Sequence, residues 1–328
     1  MKKVEDSSTS LGKRPFLASR LHSFITSNEE TYYVRKFKLS VISDEVSQDL
    51  EKVAAFAHKH ELDGVEIRTV WNTPPQDLVT CADEIKRILS KYGLSVCCIA
   101  SPFFKADLES EEEYRKHLGI LEKCIDLAKK LDTDKIRGFA FWRKGRLEDY
   151  EEKILEKFQK PLEIIEREGV YLALENEPAT FLVNAKTVAY FIEKLSSKYV
   201  KAVWDPGNDI WDPEGEIPYP DGYTAIKKYM IHMHVKDGVK KGPEGKPEPR
   251  PIGEGDVDYL NQFIALIKDE YSGYISLETH WRPKKKLSEE ELVKPGGAAF
   301  SEMGEEASEI CVNNLKRIIE EALKKARE

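Results

Sequence analysis

The chain has 328 residues, 41% of them hydrophobic, which is enough for a sizeable core in one large α/β domain or two ordinary ones. Charged residues make up 34% of it, yet the formal net charge is only −8, so the two signs are interspersed and no basic face for nucleic acid is expected. The 5 cysteines, odd in number and without CxxC spacing, argue against a disulfide framework or a cysteine-bound zinc; no stretch approaches the roughly 20 apolar residues that span a bilayer, and a reducing cytoplasm is the expected compartment.

The opening stretch, MKKVEDSSTSLGKRPFLASRLHSFITSNEETYYVRK, begins with charge and Ser/Thr, and its apolar residues are too scattered for a secretory signal. It is expected to form an N-terminal extension, residues 1–36, ahead of a single main domain over 37–328. From there β-rich runs alternate with helical periodicity. Strands are predicted near 38–43 (KLSVIS), 64–68 (GVEIR), 95–100 (SVCCIA), 136–141 (IRGFAF), 170–175 (VYLALE), 200–205 (VKAVWD), 230–235 (MIHMHV) and 273–278 (GYISLE). Between them DLEKVAAFAHKH, ADEIKRILSKYG, YRKHLGILEKCIDLAKKL, ILEKFQKPLEIIEREG, NAKTVAYFIEKLSSKY and VDYLNQFIALIKDEY space their apolar residues by threes and fours, and 303–326 supplies a closing helix. Repeated βα units predict a parallel sheet, and eight of them match a (β/α)8 TIM barrel. A doubly wound sheet is disfavoured by the absence of a GxGxxG turn.

Three connections exceed what a plain barrel needs: DPGNDIWDPEGEIPYPDGY after the sixth strand, KDGVKKGPEGKPEPRPIGEGD after the seventh, and THWRPKKKLSEEELVKPGGAAFSE after the eighth. All three follow the C-terminal ends of strands, the face on which barrel active sites form, so they are candidate walls or lids. The Lys/Glu-rich part of the last one reads instead as a solvated insertion.

Four metal-capable side chains end successive strands: Glu175, Asp205, His234 and Glu278. Strand parity separates His232 and His234 from Met233 and Val235, and Ser276 and Glu278 from Ile275 and Leu277, so the polar set is expected in the lumen together with Glu175 and Asp205. Leaving four ionisable groups there without partners is costly, and a divalent cation compensates them together. Glu177 shares the parity of Glu175, and His232 that of His234, so either exchange stays open on these grounds. Asp205, before Pro206 and Gly207, has turn capping as its alternative. Glu66 and Arg68 on the second strand, Lys105 after the third and Arg250 before IGEG are candidates for binding hydroxyls, a carboxylate or a phosphate, with ion pairing as the equal alternative. Among aromatics near strand ends, Trp142 is the candidate pocket wall, and Lys236 and Asp237 are placed to orient ligands.

The segments LALENEP, WDPGN, HMHVKD, PIGEGDVDY and the closing SLE, in this order and spacing across residues 37–326, resemble the xylose isomerase-like TIM barrel superfamily of sugar isomerases and epimerases, the group that includes D-tagatose 3-epimerase. The resemblance implies one divalent metal ion, Mn²⁺ first with Co²⁺, Mg²⁺ or Zn²⁺ as alternatives, held by Glu175, Asp205, His234 and Glu278. His234 is preferred over His232 because Val-Lys-Asp follows it. The resemblance also assigns proton transfer to Glu175 and Glu278: one removes a proton beside the carbonyl of a ketose or related polyol to give an enediolate, and the other returns one, for epimerisation or isomerisation. The alternative is a lyase or dehydratase acting on an inosose or a 3-keto-glycoside, followed by a non-catalytic sugar-binding barrel or an endonuclease relative. Many relatives carry a histidine where this chain has Asn208, whose amide hydrogen-bonds a sugar hydroxyl but cannot shuttle a proton; His232 is a further candidate substrate contact. The additional zinc-binding histidines of the endonuclease relatives are absent from SPFFK and RPIGEG, so a DNA-cutting site is not expected. The expected partner is a small carbohydrate, with neither nucleic acid nor membrane, and a homo-oligomer is compatible with a barrel of this sort.

Overall fold

A computed structural model describes residues 35–288, 290–291 and 296–328. The expected extension therefore lies, but for Arg35 and Lys36, outside the described residues. The β-rich runs form β1 (Lys38–Ile42), β2 (Gly64–Ile67), β3 (Ser95–Ile99), β4 (Lys135–Gly138), β5 (Tyr171–Glu175), β6 (Val200–Trp204) and β7 (Met230–Val235). After a short ribbon of β8 (Asp237–Val239) and β9 (Glu248–Arg250) comes β10 (Tyr274–Leu277). The barrel closes in the order β1-β10-β7-β6-β5-β4-β3-β2, all pairs parallel, with Ser40 opposite Ser276 on one side of β1 and Val41 opposite Val65 on the other. This is a (β/α)8 TIM barrel.

Helices surround it as α1 (Ser43–Val46), α2 (Leu50–Lys59), α3 (Ala82–Lys91), α4 (Glu111–Lys130), α5 (Glu151–Glu168), α6 (Ala185–Leu195), α7 (Tyr223–Ile226), α8 (Tyr259–Lys268) and a closing helix, Gly304–Ala326, the longer ones amphipathic. Local chemistry sets their ends. Ser110 caps α4 by accepting from Glu113 N–H, Asn184 and Thr187 form a reciprocal capping box on α6, and Gly169 stops α5 at φ 69°. The alternate residues Met233, Val235, Ile275 and Leu277 are buried in the apolar core cluster. Their neighbours His232, His234 and Ser276 turn into the lumen, where His232 Nε2 meets Ser276 Oγ at 3.0 Å. No helix among the described residues is long and apolar enough to cross a membrane.

Three local departures from the predicted elements have physical causes. β4 stops at Gly138, because Phe139 and Phe141 give their N–H groups to Phe103 and Phe104 carbonyls, with Phe141 at φ 60°. The sixth connection has only the one-turn α7, squeezed between the proline-rich segment at 218–222 and the start of β7. The seventh holds the antiparallel β8–β9 ribbon, tied at its base by Asp237, whose carboxylate accepts N–H bonds from Gly238 and Gly253 at 2.8 Å and Gly255 at 3.1 Å. A Cβ at Gly255 would fall 2.5 Å from Asp237 Cγ, so the IGEG turn has glycine there for space.

Candidate metal centre and active site

β5 ends on Glu175, β7 carries His234, and the residues just beyond β6 and β10 are Asp205 and Glu278, so four ligand-type groups reach one rim. One ligand atom from each lies within 4.8 Å of the others, and all four residues are buried. Asp205 is held by its backbone: Asn176 Oδ1 accepts from its N–H and Asn176 Nδ2 donates to its carbonyl, both at 2.8 Å. The Asp205 carboxylate divides its work. Oδ1 closes the turn by accepting from Gly207 and Asn208 N–H groups, while Oδ2 makes no well-directed hydrogen bond and faces Lys236 Nζ at 2.8 Å.

His234 is fixed from both sides. Its Nε2 lies 3.2 and 3.1 Å from the two oxygens of Glu66, and its Nδ1 lies 3.1 Å from Glu175 Oε1 and 3.6 Å from Glu278 Oε2. A carboxylate behind an imidazole in this way sets the ring orientation and the basicity of the other nitrogen. His232 sits one pleat deeper: it is registered opposite Tyr274 where His234 is opposite Ser276, and its Nε2 contacts Glu66 at 2.7 Å. Of the two histidines it is His234 that joins Glu175, Asp205 and Glu278.

The carboxylates also have cationic partners within the chain. Lys236 Nζ also reaches Glu278 Oε2 at 3.0 Å, Arg137 lies 3.2 Å from Glu175 Oε2, and Arg68 donates to Glu278 Oε1 at 2.6 Å. A further group, Glu45, Glu278 and His280, has metal-like spacing, but Arg68 already donates at 2.6 Å to both Glu45 Oε1 and Glu278 Oε1. Burial raises the Asp205 carboxyl and neighbouring Glu278 and Glu175 add to this, so that despite Lys236 it stands at about 7. Burial also penalises the Glu175 and Glu278 carboxylates, but Arg137 and His234 hold the first below its usual range, and Lys236, His280 and His234 hold the second well below it. For His234 burial disfavours charge, and Glu66 and Glu175 outweigh it, raising the imidazole well above its ordinary value.

The quartet fits a divalent cation by donor chemistry: three carboxylates and an imidazole, the imidazole nitrogen turned inward and its partner nitrogen anchored by Glu66. To hold a cation, the His234 imidazole would have to give up the proton on its inward nitrogen, as metal binding to histidine requires.

The remaining predicted residues fall in different places. Arg68 and Lys105 line the narrow mouth above the quartet with Arg137, Glu177, Lys236 and His280. Lys105 pairs with Glu177 at 3.0 Å, and Trp142 stands behind it, its ring centre 5.7 Å from Lys105 Nζ. Asn208 Nδ2 is 3.5 Å from Glu175 Oε1 and 2.7 Å from the Asn176 carbonyl. Glu66 and His232 lie fully buried below the quartet, and Arg250, paired with Glu248, lines a separate groove. Two residues of the mouth are not among the sequence candidates: Arg137, a charge inside the otherwise apolar run IRGFAF, and His280, which repeats the Glu278 parity two residues on. Both signals were present in the chain.

The family model of the xylose isomerase-like TIM barrel matches residues 54–300, and the chain belongs to that family. No curated protein sequence matches it. Among solved structures, D-allulose 3-epimerase from Methylomonas sp. is 15% identical over 88% of this chain and 100% of its own, with a TM-score of 0.65. A 3-keto-D-glucoside 4-epimerase from E. coli is 15% identical over 86% and 99%, with a TM-score of 0.63. A probable 3-DHS dehydratase from Bacillus anthracis is 19% identical over 85% and 98%, with a TM-score of 0.62. At these identities the likeness establishes the fold.

Proposed function

We propose that the chain is a divalent-metal-dependent sugar epimerase or isomerase, acting on a ketose or related keto-sugar through an enediolate. The observation that carries this reading is that Glu175 Oε1 and Glu278 Oε2 approach the same His234 nitrogen from strands separated by β6 and β7. Carboxylates carried by strands this far apart can meet a substrate lying over the rim from two sides, and proton removal on one side with return on the other inverts a carbon or moves a carbonyl. Glu175, Asp205, His234 and Glu278 would hold the ion, Mn²⁺ in our reading, which supplies Lewis acidity toward a carbonyl and its neighbouring hydroxyl when bound. Glu175 takes the proton from the carbon beside the carbonyl, and Glu278 returns one. Arg137 and Arg68 keep these carboxylates oriented and ionised, and Asn208 offers its amide to a hydroxyl next to Glu175. The neighbouring epimerases and the dehydratase are both consistent with an enediolate, so the products discriminate between them.

The test is to purify the chain, measure bound metal, add Mn²⁺, and incubate with ketoses in deuterated water. Expected are a Mn²⁺-dependent rise in thermal midpoint and deuterium at the carbon beside the carbonyl without loss of water or an aglycone. A chain that neither binds nor is stabilised by Mn²⁺ ends the metal reading, and elimination without an epimer moves the activity to the lyase class.

A further inference from the structure

The mouth above the quartet leaves only about 10 Å³ of free space, whereas a groove of about 600 Å³ opens beside it, and His280 lines both. That volume lies in the range of about 300–1,000 Å³ typical of small-ligand pockets. All three long loops contribute: Trp211 from the sixth, Pro247 and Arg250 from the ribbon of the seventh, Trp281 and Leu287 from the eighth. Trp211 is packed against Gly238, where even a methyl group would stand 3.0 Å from the indole. Half-buried indoles beside prolines accept the C–H face of a ring, and the cationic groups at the rim donate to hydroxyls.

His280 marks the junction. It is a non-glycine residue at φ 46°, held there by Glu45 Oε2, which accepts its N–H at 3.1 Å, and by Phe300, whose ring centre is 4.9 Å away. Its Nε2 is buried without a hydrogen-bond partner, the nearest carboxylate oxygens being 3.4 Å off. The left-handed backbone holds the ring between Glu45 and Glu278 at a distance too long for a hydrogen bond, so an oxygen of a ligand can supply the bond the ring lacks.

We propose that the substrate is a glycosylated ketose: its reacting carbons lie at the mouth, its second ring lies in the groove against Trp211 and Trp281, and His280, which lines both, hydrogen-bonds the oxygens between the two. This rests on the reading of the mouth given above, and the groove is tested separately. Isothermal titration of the Mn²⁺-loaded chain compares D-fructose with turanose, lactulose and isomaltulose, each a fructose unit carrying a second hexose on a different oxygen. At least one of the three binds tenfold or more tighter than D-fructose, and Trp211→Ala and Trp281→Ala each cut that ratio at least fivefold within the same variant. If none of the three outbinds D-fructose, or the ratio survives both substitutions, the groove assignment is wrong. Solvent-deuterium exchange into D-fructose is read alongside: exchange without a binding gain overturns the groove alone. A gain lost with the tryptophans, but with no exchange into any ketose, keeps the groove and overturns the proton-transfer reading.

Discussion

Glu66 has no exposure, yet it touches His232 Nε2 at 2.7 Å and His234 Nε2 at 3.1 Å, so one carboxylate fixes two imidazoles below the rim. It was expected among the substrate contacts because strand parity puts it in the lumen; parity states which face a side chain takes, not how deep in a tilted barrel it sits. The same limit explains why His232 and His234 were exchangeable until register separated them by one pleat. Glu66→Gln keeps the volume but removes the charge and replaces one of the two acceptor oxygens with a donor. We expect Mn²⁺ affinity to fall about 10–100-fold, the usual effect of losing the partner behind a liganding histidine. Calorimetric Mn²⁺ titration decides it, and wild-type affinity in the variant would remove Glu66 from any orienting role.

At the level of elements, the strands were legible within a few residues, because aliphatic runs between charged amphipathic helices leave little ambiguity of period. What escaped was set by tertiary contacts: the β8–β9 ribbon hangs on four N–H groups converging on Asp237, from residues as far along as Val257. The WDPGN turn shows how two strand ends are brought together. Gly207 has φ −68° and ψ −26°, values open to any residue, so its need is for space: a Cβ there would lie 2.7 Å from the Lys236 carbonyl carbon and nearer still to its oxygen. The obstacle is backbone at the end of β7, not a flexible side chain, and relief requires parting β6 from β7 where Asp205 and His234 meet. Gly207→Ala is therefore predicted to cost about 1–3 kcal/mol in urea unfolding, the range for overpacking a tight site, and to weaken Mn²⁺ binding as well. Unfolding indistinguishable from wild type would show that the two strand ends separate freely.

Across the whole molecule, the seam where β1 meets β10 is joined by charge as well as by strand pairing. Glu45, just past β1, accepts from Arg68 at the end of β2 at 2.6 Å and from Arg282 beyond β10 at 3.1 Å; its carbonyl takes Ser308 of the closing helix at 3.0 Å. Burial raises the Glu45 carboxyl, but His280, Arg68 and Arg282 lower it further, leaving it at about 2 against 4.5 for the free group. Burial takes His280 itself down to about 3, so at pH 4.5 that ring is neutral and the two arginines carry the pairing. A folded value below the unfolded one means that the stabilisation is complete above pH 4.5 and drains as pH falls toward 2. Glu45→Gln should lower the urea midpoint at pH 7, because Arg68 and Arg282 stay buried with less compensation, and should flatten the loss of stability between pH 4.5 and 3. Some slope persists in the variant, since Glu66 and Glu278 are also held well below the usual carboxylate range. Urea midpoints of both proteins at half-unit steps from pH 7 to 3 make the comparison. Parallel curves across the acid limb would place the acid sensitivity in those other carboxylates, and converging curves place it at the seam.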